Sequence, residues 1–475
     1  MKIQDKPRFI DRTLGQLRHV WDKVTGNSNV QNSVHFQADL PDEDLPRLRA
    51  QIQLCLEMRG GEVSARAETA ILGRSYLELD AEGRARFLKL LATDFDVDTA
   101  KVEHAIDCWH QCEDVADRYA NIQQFRQALE APRLQLLTQF NELPEGVKFL
   151  VDMRAELLAL KVGDPALAAL EGDLKRLLIS WFDIGFLTLD CITWDSSASL
   201  LEKLIAYESV HEIRSWDDLK NRLDSDRRCY AFMHPHMLGE PLIFVEVALT
   251  TGLAQNVQDL LDETAIVEDL EHMDTAIFYS ISNAQQGLAG ISFGNFLIKR
   301  VVAKLSEEFP HINNFATLSP IVSFRRWLTQ QLANDKLDLL TGSEKNALAL
   351  QYDRLGIDSS LAKLLESPNW QQDIETCDVL QPLLTRLAAH YLSKEKRKNG
   401  RAFDPVAHFH LTNGAQVEKL NWMGDQSEKG LHQSYGLMVN YLYQLDRIES
   451  NSTAYVEQGE ATTSNAVNAL LKKVK

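Results

Sequence analysis

The chain has 475 residues, 45% of them hydrophobic and 25% charged, which is ordinary globular composition and excludes a disordered or fibrous chain. Its 50 lysines and arginines against 68 aspartates and glutamates give a net charge of −18, so the whole chain has no attraction to nucleic acid or to an anionic membrane. No apolar run approaches the ~20 residues needed to span a bilayer, and the N-terminal segment lacks the apolar stretch of a secretory signal. The six cysteines are too few and too scattered for a disulfide framework. A cytoplasmic protein with reduced thiols and, most simply, two domains is expected.

Residues 1–184 have the apolar spacing of helices. Apolar side chains recur at intervals of three and four residues, as in Leu45, Leu48, Ile52 and Leu56. Glycine and proline steps divide this region into several helices joined by short turns. The pattern predicts a helical bundle.

Residues 185–475 instead alternate short strands with helices. Segments rich in β-branched and aromatic residues predict strands at 229–233, 241–249, 276–282, 315–319, 407–411 and 416–422. The last two flank Thr412-Asn413-Gly414, which predicts a hairpin turn. Helical spacing predicts helices at 256–263, 294–309 and 321–333 and a helical insertion at about 334–396. A second domain of the α/β or α+β class is expected here.

A glycine-rich segment joins the predicted strand at 276–282 to the predicted helix at 294–309. Gly287, Gly290 and Gly294 allow the backbone to approach a ligand, and free N–H groups at the start of a helix favour a phosphate or diphosphate. Lys299 and Arg300 add positive charge one turn into the helix. The segment has neither a Walker sequence nor GxGxxG, so a phosphate-binding loop of another type and a turn without a ligand both remain open.

Ser319 ends the predicted strand at 315–319, directly before Pro320, at an edge where binding sites of α/β sheets collect. A structural role is the alternative, and the absence of GxSxG disfavours an α/β-hydrolase. His408 and His410 alternate along the predicted strand at 407–411 and would share one face.

Two patterns could bind a metal, the His-x-His pairs and one helical ladder. His234 and His236 repeat the spacing of the pair at 408 and 410, but no acidic residue at a comparable spacing accompanies either pair. His104, Cys108 and Cys112 follow one another at four-residue spacing and offer three ligands without a fourth. No metal site is predicted, and the ladder is interpreted as a packed helix face.

Five long segments resemble the malonyl-CoA decarboxylase family, in the order and at about the spacing of that family. They are GEPLIFVEVALT (239–250), AIFYSISNAQQGLAGISFGNFLIKRVV (276–302), ATLSPIVSFRRWL (316–328), DPVAHFHLTNGA (404–415) and LNWMGDQSEKGLHQSYGLMVNYLY (420–443). The likeness covers most of the C-terminal half and continues more weakly through the helical half.

The resemblance implies a helical oligomerisation domain at 1–184 and a catalytic domain with the GNAT acyltransferase fold at 185–475. In that fold the diphosphate of coenzyme A lies on a loop between a central strand and the next helix. The family pattern assigns catalytic roles to Ser319 and His410. It assigns coenzyme A binding to Ala289, Gly290, Ile291, Ser292, Phe293, Gly294 and Asn295. Residue parity alone suggests that Tyr441 or Tyr443 shapes the pocket, and Tyr443 is the substrate-binding candidate.

Two departures from the family pattern concern an acidic residue and the C-terminus. Animal members carry a glutamate at the position that Ser292 occupies here, so an acidic third catalytic partner is in doubt. The peroxisomal tripeptide of some members is missing at Lys473-Val474-Lys475, which fits a cytoplasmic bacterial-type protein. The resemblance further implies a homo-oligomer, either a tetramer or a dimer.

The implied reaction is a carboxy-lyase reaction, from malonyl-CoA to acetyl-CoA and CO2. The thioester carbonyl accepts the electrons that the departing CO2 leaves behind, so no metal, biotin, pyridoxal phosphate or thiamine diphosphate is expected. Ser319 would donate a hydrogen bond to the substrate, and His410, titrating near neutrality, would protonate C2. A GNAT-type coenzyme A-dependent acyltransferase is the alternative, and a non-catalytic coenzyme A-binding protein is a second one.

Overall fold

The structure is a computed structural model that describes residues 21, 35–57, 62–112, 114–182, 184–265, 269–291, 296–334, 339–358 and 360–472. Within these residues, eight helices precede the first strand. They are α1 (Leu45–Glu57), α2 (Glu62–Glu78), α3 (Ala81–Asp94), α4 (Thr99–His110), α5 (Val115–Ala128), α6 (Pro132–Asn141), α7 (Gly146–Leu160) and α8 (Pro165–Trp181). The predicted helical region is confirmed.

Local sequence signals set the limits of these helices. The carboxylates of Asp80, Asp98 and Asp164 accept hydrogen bonds from the first backbone amides of α3, α4 and α8. Pro132 and Pro165 stand at the first position of α6 and α8, where a missing N–H costs nothing. Between these limits the predicted apolar positions turn inward and form the helical core.

The strands in the described part of the chain form one mixed sheet. They are β1 (Thr188–Ile192), β2 (Arg227–Met233), β3 (Pro241–Thr250), β4 (Thr275–Asn283), β5 (Asn314–Thr317), β6 (Ser319–Pro320), β7 (Gln416–Asn421) and β8 (Met438–Leu442). Strands β1 to β5 are neighbours in chain order, and β8 then pairs with β5 and β6 along one edge and with β7 along the other. Every pair is antiparallel except β4 with β5. The sequence patterns did not predict β1 and β8.

The helices of the second region are short, apart from those beside the sheet and in the insertion. They are α9 (Ala198–Tyr207), α10 (Trp216–Asn221), α11 (Val257–Leu260), α12 (Phe296–Glu308), α13 (Phe324–Ala333), α14 (Gly342–Leu355), α15 (Leu361–Glu366), α16 (Ile374–Lys394), α17 (Pro405–Thr412), α18 (Glu428–Ser434), α19 (Ile448–Gln458) and α20 (Asn465–Leu471). The helical insertion at about 334–396 is confirmed as α14 to α16. The helix predicted at 256–263 is only the four residues of α11.

The strand predicted at 407–411, and with it the hairpin, is wrong. Those residues belong to α17, because Asp404 caps the amides of Val406 and Ala407 and Pro405 occupies the first helical position. The strand β7 that follows pairs with β8 rather than with a hairpin partner at 407–411. The Asp-Pro signal for a helix start outweighs the β-like composition of this segment.

Both regions contribute to one continuous core. Leu150 and Leu174 of the helical bundle and Val245 and Phe278 of the sheet are at most 1% exposed and belong to the same apolar cluster. The division into domains at 184 and 185 therefore stays a prediction. Within the described ranges, no helix is both long and apolar enough to cross a membrane.

Candidate functional site

A cavity opens where the parallel strands β4 and β5 separate. Residues Thr275 to Phe278 of β4 pair with Asn314 to Thr317 of β5. Beyond this point β4 continues to Asn283, while the segment after β5 turns away and pairs with β8 as β6. The gap leads into a cavity of about 390 Å³. Its walls are formed by Ser209, Val210, Ile243, Phe278, Tyr279, Ile281, Asn283, Ser319, Pro320, Val322, Pro405, Val406, Phe409, His410, Lys429 and Gln433. Strand β6 and helix α17 thus bring two of the predicted residues, Ser319 and His410, to one largely apolar cavity.

Ser319, His410 and Tyr443 form a row of hydrogen bonds at this cavity. The Oγ of Ser319 lies 3.2 Å from Nε2 of His410, and Nδ1 of the same imidazole lies 2.7 Å from the hydroxyl of Tyr443. Ser319 also donates to Oγ1 of Thr317, at 2.8 Å. All of these side chains are buried. Ser319 and His410, which were predicted from two sequence segments and lie 91 positions apart, are therefore in direct contact.

The helix α17 determines where each histidine of the predicted pair points. Residues two apart on a helix lie about 200° apart around its axis, so His408 and His410 do not share a face. His410 reaches Ser319, whereas Nδ1 of His408 lies 2.8 Å from the hydroxyl of Tyr455. Because Oδ2 of Asp404 also accepts the backbone N–H of Ser323, at 3.4 Å, the start of this helix is tied to the segment that follows β6. The structure brings His410 to Ser319, its catalytic role stays a prediction, and the predicted shared strand face is wrong.

The imidazole of His410 is neutral in the ligand-free protein. Burial removes water from the ring and lowers its pKa to about 3, so the expectation that His410 titrates near neutrality does not hold without a ligand. Burial also raises the pKa of Tyr443, which keeps its hydroxyl proton. Because Ser319 gives its hydroxyl proton to Thr317, its oxygen accepts from Nε2 of His410, so the ring proton lies on Nε2. The unprotonated Nδ1 then accepts the hydroxyl proton of Tyr443.

Tyr441 supports the same ring from its face. Its ring stacks on the imidazole of His410 with centroids 4.5 Å apart and planes 23° apart. The strand β8 therefore carries one tyrosine against the imidazole face and is followed directly by Tyr443, which bonds to the imidazole edge. The structure gives Tyr443 a contact with His410, whereas its predicted contact with substrate stays a prediction.

A buried carboxylate holds one wall of the cavity. Glu208 accepts hydrogen bonds from the hydroxyls of Ser280 and Ser282 on β4, at 2.8 and 3.1 Å, and from the backbone amides of Val210 and His211, at 2.7 Å each. The wall segment at 209–210 is thereby attached to β4. Sequence reasoning missed this role of Glu208 because its two serine partners on β4 lie 72 and 74 positions away.

Lys429 closes the cavity from the opposite side. From α18 it donates to the carbonyls of Ser209 and Val210, at 2.8 and 2.7 Å, across more than 200 positions of sequence. Among the residues that line the cavity, Lys429 supplies the positive charge, since the imidazole of His410 is neutral. Its neighbourhood in sequence, Ser427-Glu428-Lys429, reads as an ordinary capped helix start and carried no signal of this contact.

The glycine-rich segment is described only as far as Ile291, so the predicted coenzyme A residues Ser292, Phe293, Gly294 and Asn295 lie outside the described residues. In the described part, the amides of Ala289 and Ile291 bond to the carbonyls of Gln286 and Leu288, at 3.0 Å each, while the free N–H groups predicted at the start of the following helix stay a prediction. Gly290 has φ +72°, a conformation that favours glycine. Gly290 therefore has a conformational reason to be glycine, and the predicted approach of its backbone to a ligand stays a prediction.

The helical bundle supports this loop directly. Arg154 of α7 is 1% exposed, and its guanidinium donates to the carbonyls of Gly287 and Ala289, the latter at 2.9 Å, and to Glu171. A methyl group on Gly287 would lie 1.7 Å from the carbonyl oxygen of Val151, so the loop is in contact with α7. The loop position thus depends on residues of the other predicted domain.

The two cations predicted to serve the loop are engaged elsewhere. Arg300 donates to the carbonyl of Leu187 at 2.7 Å, and its guanidinium lies 5.8 Å from the ring centroid of Phe232. Lys299 lies 3.6 Å from a carboxylate oxygen of Glu449. Both side chains therefore attach α12 to neighbouring elements.

The remaining histidine pair lies beyond a strand rather than on it. His234 and His236 follow the end of β2, with ring centroids 5.3 Å apart, and His234 packs on Phe182. Across the described ranges, no three histidine, cysteine or acidic side chains are grouped as metal ligands would be. The six cysteines are free.

Comparison with known proteins finds one family over most of the chain. Residues 185–475 match the profile of the malonyl-CoA decarboxylase C-terminal domain, and residues 95–182 match that of the malonyl-CoA decarboxylase N-terminal domain. Two curated relatives are both named malonyl-CoA decarboxylase, mitochondrial. The protein from Anser anser anser is 40% identical over 409 residues, 82% of this chain and 81% of the relative, and that from Rattus norvegicus is 39% identical over 407 residues, 82% of each.

Solved structures give the same result. The crystal structure of malonyl-CoA decarboxylase from Rhodopseudomonas palustris is 42% identical and superposes with a TM-score of 0.82, covering 90% of this chain and 99% of that one. The structure of malonyl-CoA decarboxylase from Agrobacterium vitis is 39% identical, with a TM-score of 0.80 over 90% of this chain and 99% of that one.

Proposed function

The chain belongs to the malonyl-CoA decarboxylase family, and from this premise we propose that it converts malonyl-CoA to acetyl-CoA and CO2 with Ser319 and His410 as its reacting groups. The observation that carries the proposal is the 3.2 Å contact of Ser319 with His410 at the wall of the cavity. The resemblance assigns these roles to the same two residues, and the fold brings them together from separate elements.

The substrate supplies most of the electronic requirement. When the C–C bond to the carboxylate breaks, its electron pair enters the thioester carbonyl and gives an enolate, which must then be protonated at C2. An apolar cavity favours the loss of CO2 because it solvates the carboxylate poorly. The hydroxyl of Ser319 donates to Thr317 in the ligand-free protein, and on substrate binding it would rotate to donate to the thioester oxygen as negative charge develops there. His410 carries a proton on Nε2, the nitrogen beside Ser319.

The substrate carboxylate prepares His410 for this role. An anion beside a buried imidazole raises its pKa, in opposition to the burial that lowers it in the free protein. Malonyl-CoA binding is therefore accompanied by addition of a proton at Nδ1 of His410, and the imidazolium then gives its Nε2 proton to C2. The balance closes, because malonyl-CoA plus one proton yields acetyl-CoA plus CO2. Tyr443 stabilises the charged ring only if its hydroxyl rotates to accept from Nδ1, at 2.7 Å.

The catalytic region is proposed to have the GNAT fold. Supporting this are the parallel pairing of β4 and β5, their separation at the cavity, and the position of α12 directly after β4. In this fold the thioester lies between the separating strands and the diphosphate lies on the loop from β4 to α12. Residues 1–184 and 185–475 remain the proposed domains, and a homo-oligomer formed through the helical domain remains the proposed assembly.

The location and cofactor requirement are also proposals. The curated relatives carry the word mitochondrial in their names, whereas the location proposed for this chain is the cytoplasm. Cell fractionation followed by immunoblotting distinguishes the two compartments. No metal or organic cofactor is proposed, because the thioester itself accepts the electrons.

The proposed function is tested by incubating the purified protein with malonyl-CoA and measuring CO2 and acetyl-CoA. Equal amounts of both products support it, and their absence at saturating substrate refutes it. The alternative, a GNAT-type acyltransferase, requires an amine acceptor and releases free coenzyme A. A thiol assay with acetyl-CoA and a panel of amines detects that release, while the decarboxylase produces none.

A further inference from the structure

We propose that Lys175, on helix α8 of the N-terminal helical region, binds the diphosphate of coenzyme A at Gly290. The inference rests on the proposed function, because it assumes that a coenzyme A thioester lies along the loop between β4 and α12. It adds a ligand contact from the region that the family resemblance assigned to oligomer formation alone.

The ammonium of Lys175 lies beside the loop. A methyl group built on Gly290 would be only 3.5 Å from Nζ of Lys175. Gly290 is exposed, and Lys175 is half-buried, so the cation is partly shielded from water at a surface that a ligand can reach. An ammonium at this position can contact any anion that lies over Gly290.

The backbone at the same point provides a second donor. The amides of Ala289 and Ile291 bond within the turn, but the amide of Gly290 between them donates to no group in the described parts of the chain. Ala289 at φ −55° and ψ 131° and Gly290 at φ +72° form a type II turn closed by the bond from Ile291 to Leu288, and this bond leaves the Gly290 amide unused. An N–H and an ammonium therefore lie together at one exposed position.

The charges around Lys175 leave its own charge available. Glu171, one turn earlier on α8, forms ion pairs with Arg154 and Lys161, both at 2.7 Å. Asp173 is taken by Arg133, at 2.8 Å, and by Arg176. Among the residues that the structure describes, no carboxylate pairs with Lys175.

The neighbouring ion pairs also fix the geometry. Arg154 anchors the loop through the carbonyls of Gly287 and Ala289, and its own position is held by Glu171 on the helix that carries Lys175. Lys175 and Gly290 are thus held in register by a buried ion pair. Loss of the Lys175 charge should weaken diphosphate binding while leaving the loop in place.

The test compares two thioesters in Lys175→Met. Malonyl-CoA carries the diphosphate, whereas S-malonyl-pantetheine lacks it. A lost ammonium–phosphate contact at a partly exposed site should raise KM for malonyl-CoA about tenfold, the scale of a charged hydrogen bond, with kcat unchanged. The kcat/KM for S-malonyl-pantetheine should not change. Lys175→Arg, which keeps the charge, should restore most of the malonyl-CoA value.

Arg176→Gln is the matched control, because it removes one positive charge from the next position of the same helix, where the side chain is 75% exposed. It should leave KM for malonyl-CoA within a factor of about two. The inference is overturned if Lys175→Met leaves KM unchanged, if both thioesters lose equally, or if Arg176→Gln has the same effect as Lys175→Met.

Calorimetry with free coenzyme A separates this inference from the proposed function. If the wild-type protein binds coenzyme A and Lys175→Met weakens that binding about tenfold, the Lys175 contact stands even where no decarboxylation is observed. If decarboxylation is observed but coenzyme A binding is the same in both proteins, the proposed function stands and the Lys175 contact is refuted.

Discussion

The contact between Ser319 and His410 predicts how the rate losses of the two single variants combine in the double variant. In the structure these side chains share one hydrogen bond of 3.2 Å at the cavity wall, and Ser319 is further bonded to Thr317 at 2.8 Å. Replacing either residue therefore disturbs the other. We consider His410→Asn, Ser319→Ala and the double variant.

The expected size of each loss follows from its role. Removing a general acid lowers kcat by about 10²–10⁴. Removing a hydroxyl that donates to a charged reacting group costs about 1.5–3 kcal/mol, which is about 10- to 150-fold in rate. Independent losses would multiply to about 10³–10⁶, whereas residues that act as one unit lose little more than the poorer single variant. We expect the second result.

Single-turnover kinetics with malonyl-CoA on the four proteins measure these losses. Circular dichroism and coenzyme A calorimetry provide the controls for folding and binding, since His410 lies on α17 and the loop after β4 is a separate element. Wild-type turnover in His410→Asn would refute the assignment of the proton donor. Fully multiplicative losses would show that the two residues act independently and would refute their coupling.

Four further predictions concern cofactors, the loop, the histidine edge and pH. Activity should survive thorough chelation with EDTA, and a loss that zinc restores would contradict the metal-free mechanism. Gly290→Val should raise the coenzyme A dissociation constant in calorimetry because φ +72° is strained for valine, whereas an unchanged constant would refute a diphosphate site here. Tyr443→Phe leaves Nδ1 of His410 without its 2.7 Å partner and should reduce kcat about 5- to 100-fold with KM little changed; wild-type kcat would contradict the positioning role. Burial lowers the pKa of His410 from 6.5 to about 3, so its stabilising contribution is present above pH 6.5 and is lost as the pH falls towards 3. When the pH falls from 7 to 5, the free energy of unfolding measured with urea should decrease by about 2 kcal/mol more in wild type than in His410→Asn. Equal decreases in the two proteins would refute a buried neutral imidazole.

Local sequence determines the helices and strands that depend only on residues close to one another along the chain. Apolar spacing together with the caps at Asp80 and Asp164 is sufficient for the helical bundle, because a helix bonds within itself and needs only one apolar face. The composition of the segments at 229–233, 241–249 and 276–282 is likewise sufficient for the central strands β2 to β4. The long strings shared with one family pointed to Ser319 and His410 before any geometry was known.

Tertiary structure decides everything that depends on distant partners. The segment at 407–411 has strand-like composition, yet Asp404 and Pro405 start a helix there, and only packing against β6 brings His410 of that helix to Ser319. The low pKa of His410 is equally invisible in the sequence, since burial by the surrounding elements produces it. Glu208, Lys429 and Arg154 have no local signature for their contacts with β4, the segment at 209–210 and the glycine loop, because those partners lie 72 to 220 positions away. Hydrogen bonds and desolvation act through space, and sequence spacing reports them only when the partners are neighbours along one helix or strand.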